Sequence, residues 1–170
     1  MSPPRIRHLA AILVALALLA CQAGAAADPP LDHGPRQALS GPTRVIDGDT
    51  FDLYGRDGRV RIRIYGIDTP ERGERGWRAA TEGLRALLAA GPVACAVRPG
   101  EVTFGRLVAT CDAGGQDVAL AQLRAGLAAP WCSYLRGDPL EAGYLAAAAI
   151  ATATIGAPPA KPRHHCPPAR

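Results

Sequence analysis

The chain has 170 residues, 48% of them apolar and only 5% aromatic, with a formal charge of +4. That length suits one domain rather than two, and so large an apolar share excludes a wholly disordered chain. No apolar run reaches the ~18 residues of an ordinary membrane span, no glycine period or heptad seam appears, and so mild a charge permits a polyanionic partner without demanding one.

Residues 1–27 read as an export signal. Arg5, Arg7 and His8 precede an apolar run over residues 9–20, and Ala25-Ala26-Ala27 fits an A-x-A cleavage site before Asp28. Leu18-Leu19-Ala20-Cys21 also resembles a bacterial lipobox, which would make Cys21 a lipid anchor and the first mature residue. On either reading the protein is expected to be exported, secreted or periplasmic, without a transmembrane helix. Loss of Arg5 and Arg7 leaves 17 basic against 15 acidic residues, a charge of +2. Residues 28–42, rich in Pro, Gly and Ala, read as a flexible linker.

Periodicity begins at Thr43. Residues 43–46, 50–54 and 59–67 have the pattern of three strands, with Gly55-Arg56-Asp57-Gly58 as a hairpin turn between the second and third. The third alternates Val60, Ile62 and Ile64 with Arg59, Arg61 and Arg63, which puts three cations on one side of a half-buried sheet. Residues 77–90 then form a helix, with Trp77, Ala80, Leu84, Leu87 and Leu88 on one stripe and Gly91 as its stop. Residues 93–97 and 107–111 read as two further strands. Asp117 caps a short helix ending near Gly126. Asp138-Pro139-Leu140-Glu141 combines an N-cap, a first-turn proline and a capping-box glutamate, opening a helix that runs to about Ile155 and stops at Gly156. Residues 158–170 are a Pro-rich tail.

Past the signal, the cysteines are Cys95, Cys111, Cys132 and Cys166, an even number in a compartment that allows disulfides. If residues 93–97 and 107–111 form a hairpin, Cys95 and Cys111 fall opposite each other about a centre at Thr103, inside the connecting loop. A Cys95–Cys111 bridge is therefore expected, which leaves Cys132–Cys166 as the second. His164-His165-Cys166 is the competing soft-metal reading, at the Pro-rich terminus.

Polar groups that interrupt apolar strands carry the chemistry. Asp47-Gly48-Asp49-Thr50 separates the first two strands, and Asp68-Thr69-Pro70-Glu71 ends the third. Carboxylates gathered at strand ends repel unless something positive lies between them, and a hard divalent cation with oxygen ligands does this well. Arginines beside such a site can hold phosphate oxygens and meet charge that grows in a transition state. Arg63 lies five residues before Asp68, so strict alternation separates them unless a bulge near Gly66 brings them together. Gly105-Arg106 adds a second cation. Each motif has a bland counterpart: Asp-Gly-Asp-Thr as a turn, the arginine row as a solvated face, Thr-Pro-x-x as a helix start. An EF-hand fails, because its twelfth position would be Gly58 rather than a glutamate.

Val45-Ile46-Asp47-Gly48-Asp49-Thr50, Arg63 five before Asp68-Thr69-Pro70-Glu71, and Phe104-Gly105-Arg106, in that order, resemble the thermonuclease family of staphylococcal-nuclease-like domains. The resemblance spans roughly residues 43–156, within a domain placed at 43–157. It implies a mainly β fold with α-helices, an OB-type five-stranded barrel with three helices, that binds single-stranded or frayed nucleic acid. It implies Ca²⁺ held by Asp49, Asp68 and the Thr69 carbonyl, with Asp47 in support. Arg63 and Arg106 match its phosphate-binding arginines, and Glu71 the carboxylate assigned to activating water. The implied reaction is hydrolysis of DNA and RNA that leaves 3′-phosphates, by a monomer.

Two positions depart from the family pattern. Phe104 stands where a tyrosine hydroxyl commonly touches a substrate phosphate, and Cys132 aligns with a second substrate-contacting tyrosine, whereas Tyr134 keeps a later one. Altered substrate binding with preserved chemistry is the expectation. The alternative is an OB-fold module that has lost catalysis and only grips nucleic acid; the presence of Arg63, Glu71 and Arg106 together with both metal carboxylates favours the enzyme.

Overall fold

A computed structural model describes residues 38–156 of the chain. The export segment with Cys21, the linker up to residue 37, Cys166 and the tail lie outside them. The described residues form a mixed α/β fold with one seven-stranded sheet and four helices.

The strands are β1 Ala38–Ser40, β2 Thr43–Val45, β3 Thr50–Gly55, β4 Gly58–Ile64, β5 Ile67–Asp68, β6 Val93–Thr103, β7 Arg106–Ala113, β8 Gln116–Asp117 and β9 Ala129–Pro130. The helices are α1 Trp77–Ala89, α2 Val118–Arg124, α3 Cys132–Leu135 and α4 Glu141–Ile155. The main sheet runs β1-β6-β7-β4-β3-β2 with β8 added to β7, while β5 and β9 pair separately. All ladders are antiparallel except β4 with β7.

The topology forces the sheet to curl. Its two edges, β1 and β2, are consecutive in the chain and separated only by Gly41 and Pro42. Three Cα steps reach at most about 11 Å, whereas six strands laid flat would put those edges about 24 Å apart. No ladder joins β1 to β2, so the hydrogen-bonded array stays open. The concave side buries Phe51, Leu53, Ile62, Ile64 and Ala109, and Leu84, Leu123 and Tyr144 from the helices complete the same core.

The elements depart from the sequence expectation in definite ways. Ala38–Ser40, placed in the linker, pairs with β6 as an edge strand. The third predicted strand breaks at Tyr65-Gly66, and its last residue, Ile67, opens β5. Gly66 takes φ +74, and a Cβ there would stand 2.7 Å from Leu135 Cδ2, so only glycine fits this turn. The arginine row is not uniform: Arg59 and Arg61 are exposed and both pair with Asp52, while Arg63 is buried. Arg61, donating to Asp52 at 2.8 Å, holds that buried carboxyl below its usual range. One-turn α3 is a helix that periodicity is too short to reveal.

Two caps differ in detail. Asp117 accepts from Leu120 N at 2.7 Å, as an N-cap should. Asp138 instead accepts from Leu140 N at 2.9 Å, and Glu141 reaches back to Gly137 N at 2.8 Å. The capping box is thus displaced, and α4 begins at Glu141 rather than at the proline.

Cys95 and Cys111 face each other across β6–β7 and are bridged. The two strands continue past the predicted loop, with a register shift between Val97 and Val102, to a tight turn at Phe104-Gly105. The expected Cys132–Cys166 bridge ends on a residue outside those described. The Cys95–Cys111 bridge closes a loop with a sequence separation of 16. Its reduction is expected to lower stability by about 3 kcal/mol, read as a fall in the denaturation midpoint on adding dithiothreitol. An unchanged midpoint with Cys95 and Cys111 confirmed free would contradict this.

Candidate functional site

The Asp47–Thr50 turn is tied down from three directions. Ile46 N and Asp47 N both donate to Thr50 O, at 3.0 and 3.2 Å, and Asp49 N donates to Asp47 Oδ1 at 3.1 Å. Gly48 is packed so closely that a Cβ would stand 2.7 Å from Ala80 Cβ of α1 and 2.8 Å from Thr69 Oγ1. From α2, the fully buried Gln122 donates through Nε2 to Gly48 O at 2.8 Å and to Ala80 O at 3.1 Å. The sequence reading missed Gln122; a single amide in a helix otherwise read for its apolar stripe was the only signal.

Asp49 and Arg63 meet because they are cross-strand neighbours. Thr50 pairs with Arg63 in the β3–β4 ladder, and Ile64 N donates to Asp49 O at 2.9 Å. Arg63 Nη1 then lies 2.5 Å from Asp49 Oδ2. This contact is ionic rather than an aligned hydrogen bond, which is why the same Nη1 lacks a hydrogen-bond partner. Asp49 Oδ2 also accepts from Thr69 N (3.1 Å) and Thr69 Oγ1 (2.8 Å), and Oδ1 from Thr50 Oγ1 at 3.0 Å.

Asp68 reaches the same arginine because the Tyr65-Gly66 turn folds β5 back. Arg63 Nη2 donates to Ile67 O at 3.0 Å and to Asp68 Oδ1 at 3.3 Å. The separation that strict alternation imposes is thereby removed. Pairing of β5 with β9 brings Trp131 alongside: Trp131 N donates to Gly66 O at 2.8 Å, and Arg63 Cζ lies 5.5 Å from the Trp131 ring centre.

Glu71 is exposed in the turn after β5, its N–H donating to Glu74 Oε2 at 2.8 Å. Arg106 opens β7, with Nε donating to Thr103 O at 3.0 Å and Cζ 5.8 Å from the Phe104 ring. Phe104 itself is 95% exposed at the hairpin tip, with φ 50.

These residues surround one open cavity of about 380 Å³, lined by Asp47, Asp49, Arg63, Asp68, Glu71 and Arg106, with Tyr65, Phe104, Trp131 and Tyr134 as its aromatic walls. All the sequence-predicted site residues line it except Thr69, which stands behind Asp49 as its hydrogen-bond donor. Cys132, aligned by the sequence reading with a substrate contact, is buried and off the cavity wall; Trp131 beside it lines the wall instead. Trp131 and Tyr65 were not anticipated as lining residues. A tryptophan just before a one-turn helix offers no periodic signal of where its ring will go.

The charge balance is uneven: four carboxylates face two guanidinium groups. Burial, and then the neighbouring Asp49 charge, push the Asp47 carboxyl up to about 6. Such an excess of carboxylate oxygen suits a hard divalent cation. Among the described residues no three His, Cys, Asp or Glu side chains form a metal cage by themselves. A cation held by Asp49 and Asp68 would therefore complete its shell with backbone carbonyl and water oxygens, which Ca²⁺ accepts readily. The donor set fits that ion.

No protein-family model matches the chain, and no curated protein matches it in sequence.

Proposed function

We propose that the chain is an exported Ca²⁺-dependent nuclease of the thermonuclease type, hydrolysing phosphodiester bonds of DNA and RNA and leaving 3′-phosphates. The observation that carries this reading is the convergence of Arg63, Arg106, Glu71, Asp49 and Asp68, drawn from three separate stretches of sequence, on one cavity. The OB-type barrel belongs to the same reading, supported by the curl of the sheet and the continuity of β1 with β2.

The roles follow from chemistry and position. Arg63 and Arg106 present planar forks that match two phosphate oxygens, and both favour the charge that accumulates as the phosphorus becomes five-coordinate. Arg63 shares its fork with Asp49 and Asp68, which fixes the direction from which it meets phosphate. Glu71, on the rim, accepts a proton from the attacking water. The bond to the 5′-oxygen breaks, that oxygen takes a proton from solvent, and the phosphate stays on the 3′-oxygen. Asp49, Asp68 and the Thr69 carbonyl would hold Ca²⁺, with Asp47 in support through Asp49 N; the ion would polarise the phosphate and offset its charge. Phe104, Trp131 and Tyr134 give flat faces for unpaired bases, consistent with a single-stranded or frayed substrate.

The test is degradation of denatured DNA and of RNA by residues 28–170, in millimolar Ca²⁺ against excess EGTA. Cleavage confined to Ca²⁺, with product ends that phosphatase trims, is the expected result. Nucleic acid bound but uncut would instead favour the non-catalytic binding module.

A further inference from the structure

We propose that Arg98 is a positioning residue that latches the aromatic wall of the cavity, and so sets substrate affinity; its role toward substrate rests on the nuclease reading. Arg98 lies on β6 where the register with β7 shifts, between Val97 and Val102. Its Nη2 stands 2.5 Å from Asp138 Oδ2, its Nε 3.2 Å from Glu101 Oε1, and its Cζ 3.5 Å from the centre of the Tyr65 ring. The Tyr65 hydroxyl donates to Tyr134 O at 2.6 Å and lies 3.1 Å from Asp138 Oδ2. One guanidinium thus joins the hairpin strand, the β4–β5 turn and the segment between α3 and α4.

The hairpin strand and the β4–β5 turn carry walls of the cavity at Thr103 and Tyr65, and the Asp138 segment directly follows the helix that carries Tyr134. Tyr65 and Tyr134 line it directly, and the Trp131 ring stands against Tyr134 with centres 5.1 Å apart. The charged groups have other anchors: Asp49 is held by Thr69, and Arg106 opens a strand paired with β4 from Leu107 onward. Loss of Arg98 therefore loosens Tyr65 and, through the Tyr65 hydroxyl, Tyr134 and the segment that carries it, while leaving carboxylates and guanidiniums in place. A defect of this kind appears in KM rather than in kcat. Partly exposed ion pairs add little net stability, so the effect of this one across three segments is better sought in placement.

The experiment compares the full mature chain with Arg98→Met, which keeps the stem on Tyr65, and Arg98→Lys, which restores the charge without the fork. Amide exchange over residues 131–136 should quicken about 5-fold in Arg98→Met, with β3 and β4 unchanged. KM for a single-stranded oligonucleotide should rise about 5–10-fold with kcat within about twofold, and Arg98→Lys should fall between. Unchanged exchange over 131–136 overturns the latch. Quickened exchange with unmoved KM, or a loss in kcat alone, overturns its role toward substrate. If Arg98→Met does not fold, Tyr65→Phe removes only the hydroxyl and should move exchange and KM the same way, by about 2–3-fold. A wild-type chain that cuts no nucleic acid defeats the nuclease reading, and the exchange comparison then decides the latch by itself.

Discussion

Replacement of Arg63 by methionine is expected to lower the free energy of unfolding by about 3–5 kcal/mol and to cut turnover by about 10²-fold or more. Arg63 is 7% exposed and lies between Asp49 and Asp68, themselves 6% and 7% exposed. Removing one member of a buried ionic set leaves carboxylate charge out of water without the guanidinium that offset it, and the whole desolvation cost then appears. Arg63→Lys should recover much of the stability and little of the rate, because an ammonium supplies charge without the fork. Added Ca²⁺ should stabilise Arg63→Met more than the wild-type chain, since Arg63 no longer competes with the ion for two carboxylates. Urea denaturation with and without Ca²⁺ reads both effects. A variant as stable as wild type, with the same response to Ca²⁺, would show that Arg63 does not hold this site together.

The same residue shows what sequence can and cannot reveal. Asp49, Arg63 and Asp68 are close in sequence, and a single hairpin with one glycine turn brings them together. Local pattern is sufficient there, and it also places Cys95 opposite Cys111, because a hairpin fixes register by counting. Contacts across long separations behave differently. Gln122 reaches Gly48 over 74 positions and Arg98 reaches Asp138 over 40, and no periodicity encodes either. Trp131 arrives at the cavity where β9 pairs with β5, and neither two-residue strand is legible as a separate strand. Edge strand β1 was likewise hidden, since Ala38-Leu39-Ser40 gains its extended form from β6 rather than from its own alternation.

Those long contacts give the site its shape, while the short ones give it its charge. The distinction separates two kinds of residue in one cavity. Arg63, a proposed phosphate ligand, is also bound into the fold, because its ionic partners are buried with it. Arg106 is anchored by strand pairing that follows it, and its guanidinium has only light duties in the fold.

Arg106→Gly should therefore separate rate from stability. The expected loss of turnover is about 10²–10³-fold, the scale for removing one transition-state donor, with stability changed by only about 0.5–1 kcal/mol. Arg106 Nε donates to the Thr103 carbonyl at 3.0 Å, within the same hairpin, and the guanidinium leans toward an exposed Phe104. Arg106 lines the cavity, and its side-chain hydrogen bond and ring contact stay within its own hairpin, so folding gains little from it. Glu71→Ser should behave likewise, about 10²-fold slower with little change in melting, because Glu71 is exposed on the rim. Arg106→Lys should restore a small part of the rate, as a point charge meets phosphate without bidentate geometry. Single-turnover cleavage of a short oligonucleotide, alongside thermal melting, measures both quantities on the same protein. If Arg106→Gly turned over at the wild-type rate, the hairpin arginine would have no part in the chemistry, and Arg63 alone would have to supply the cationic stabilisation.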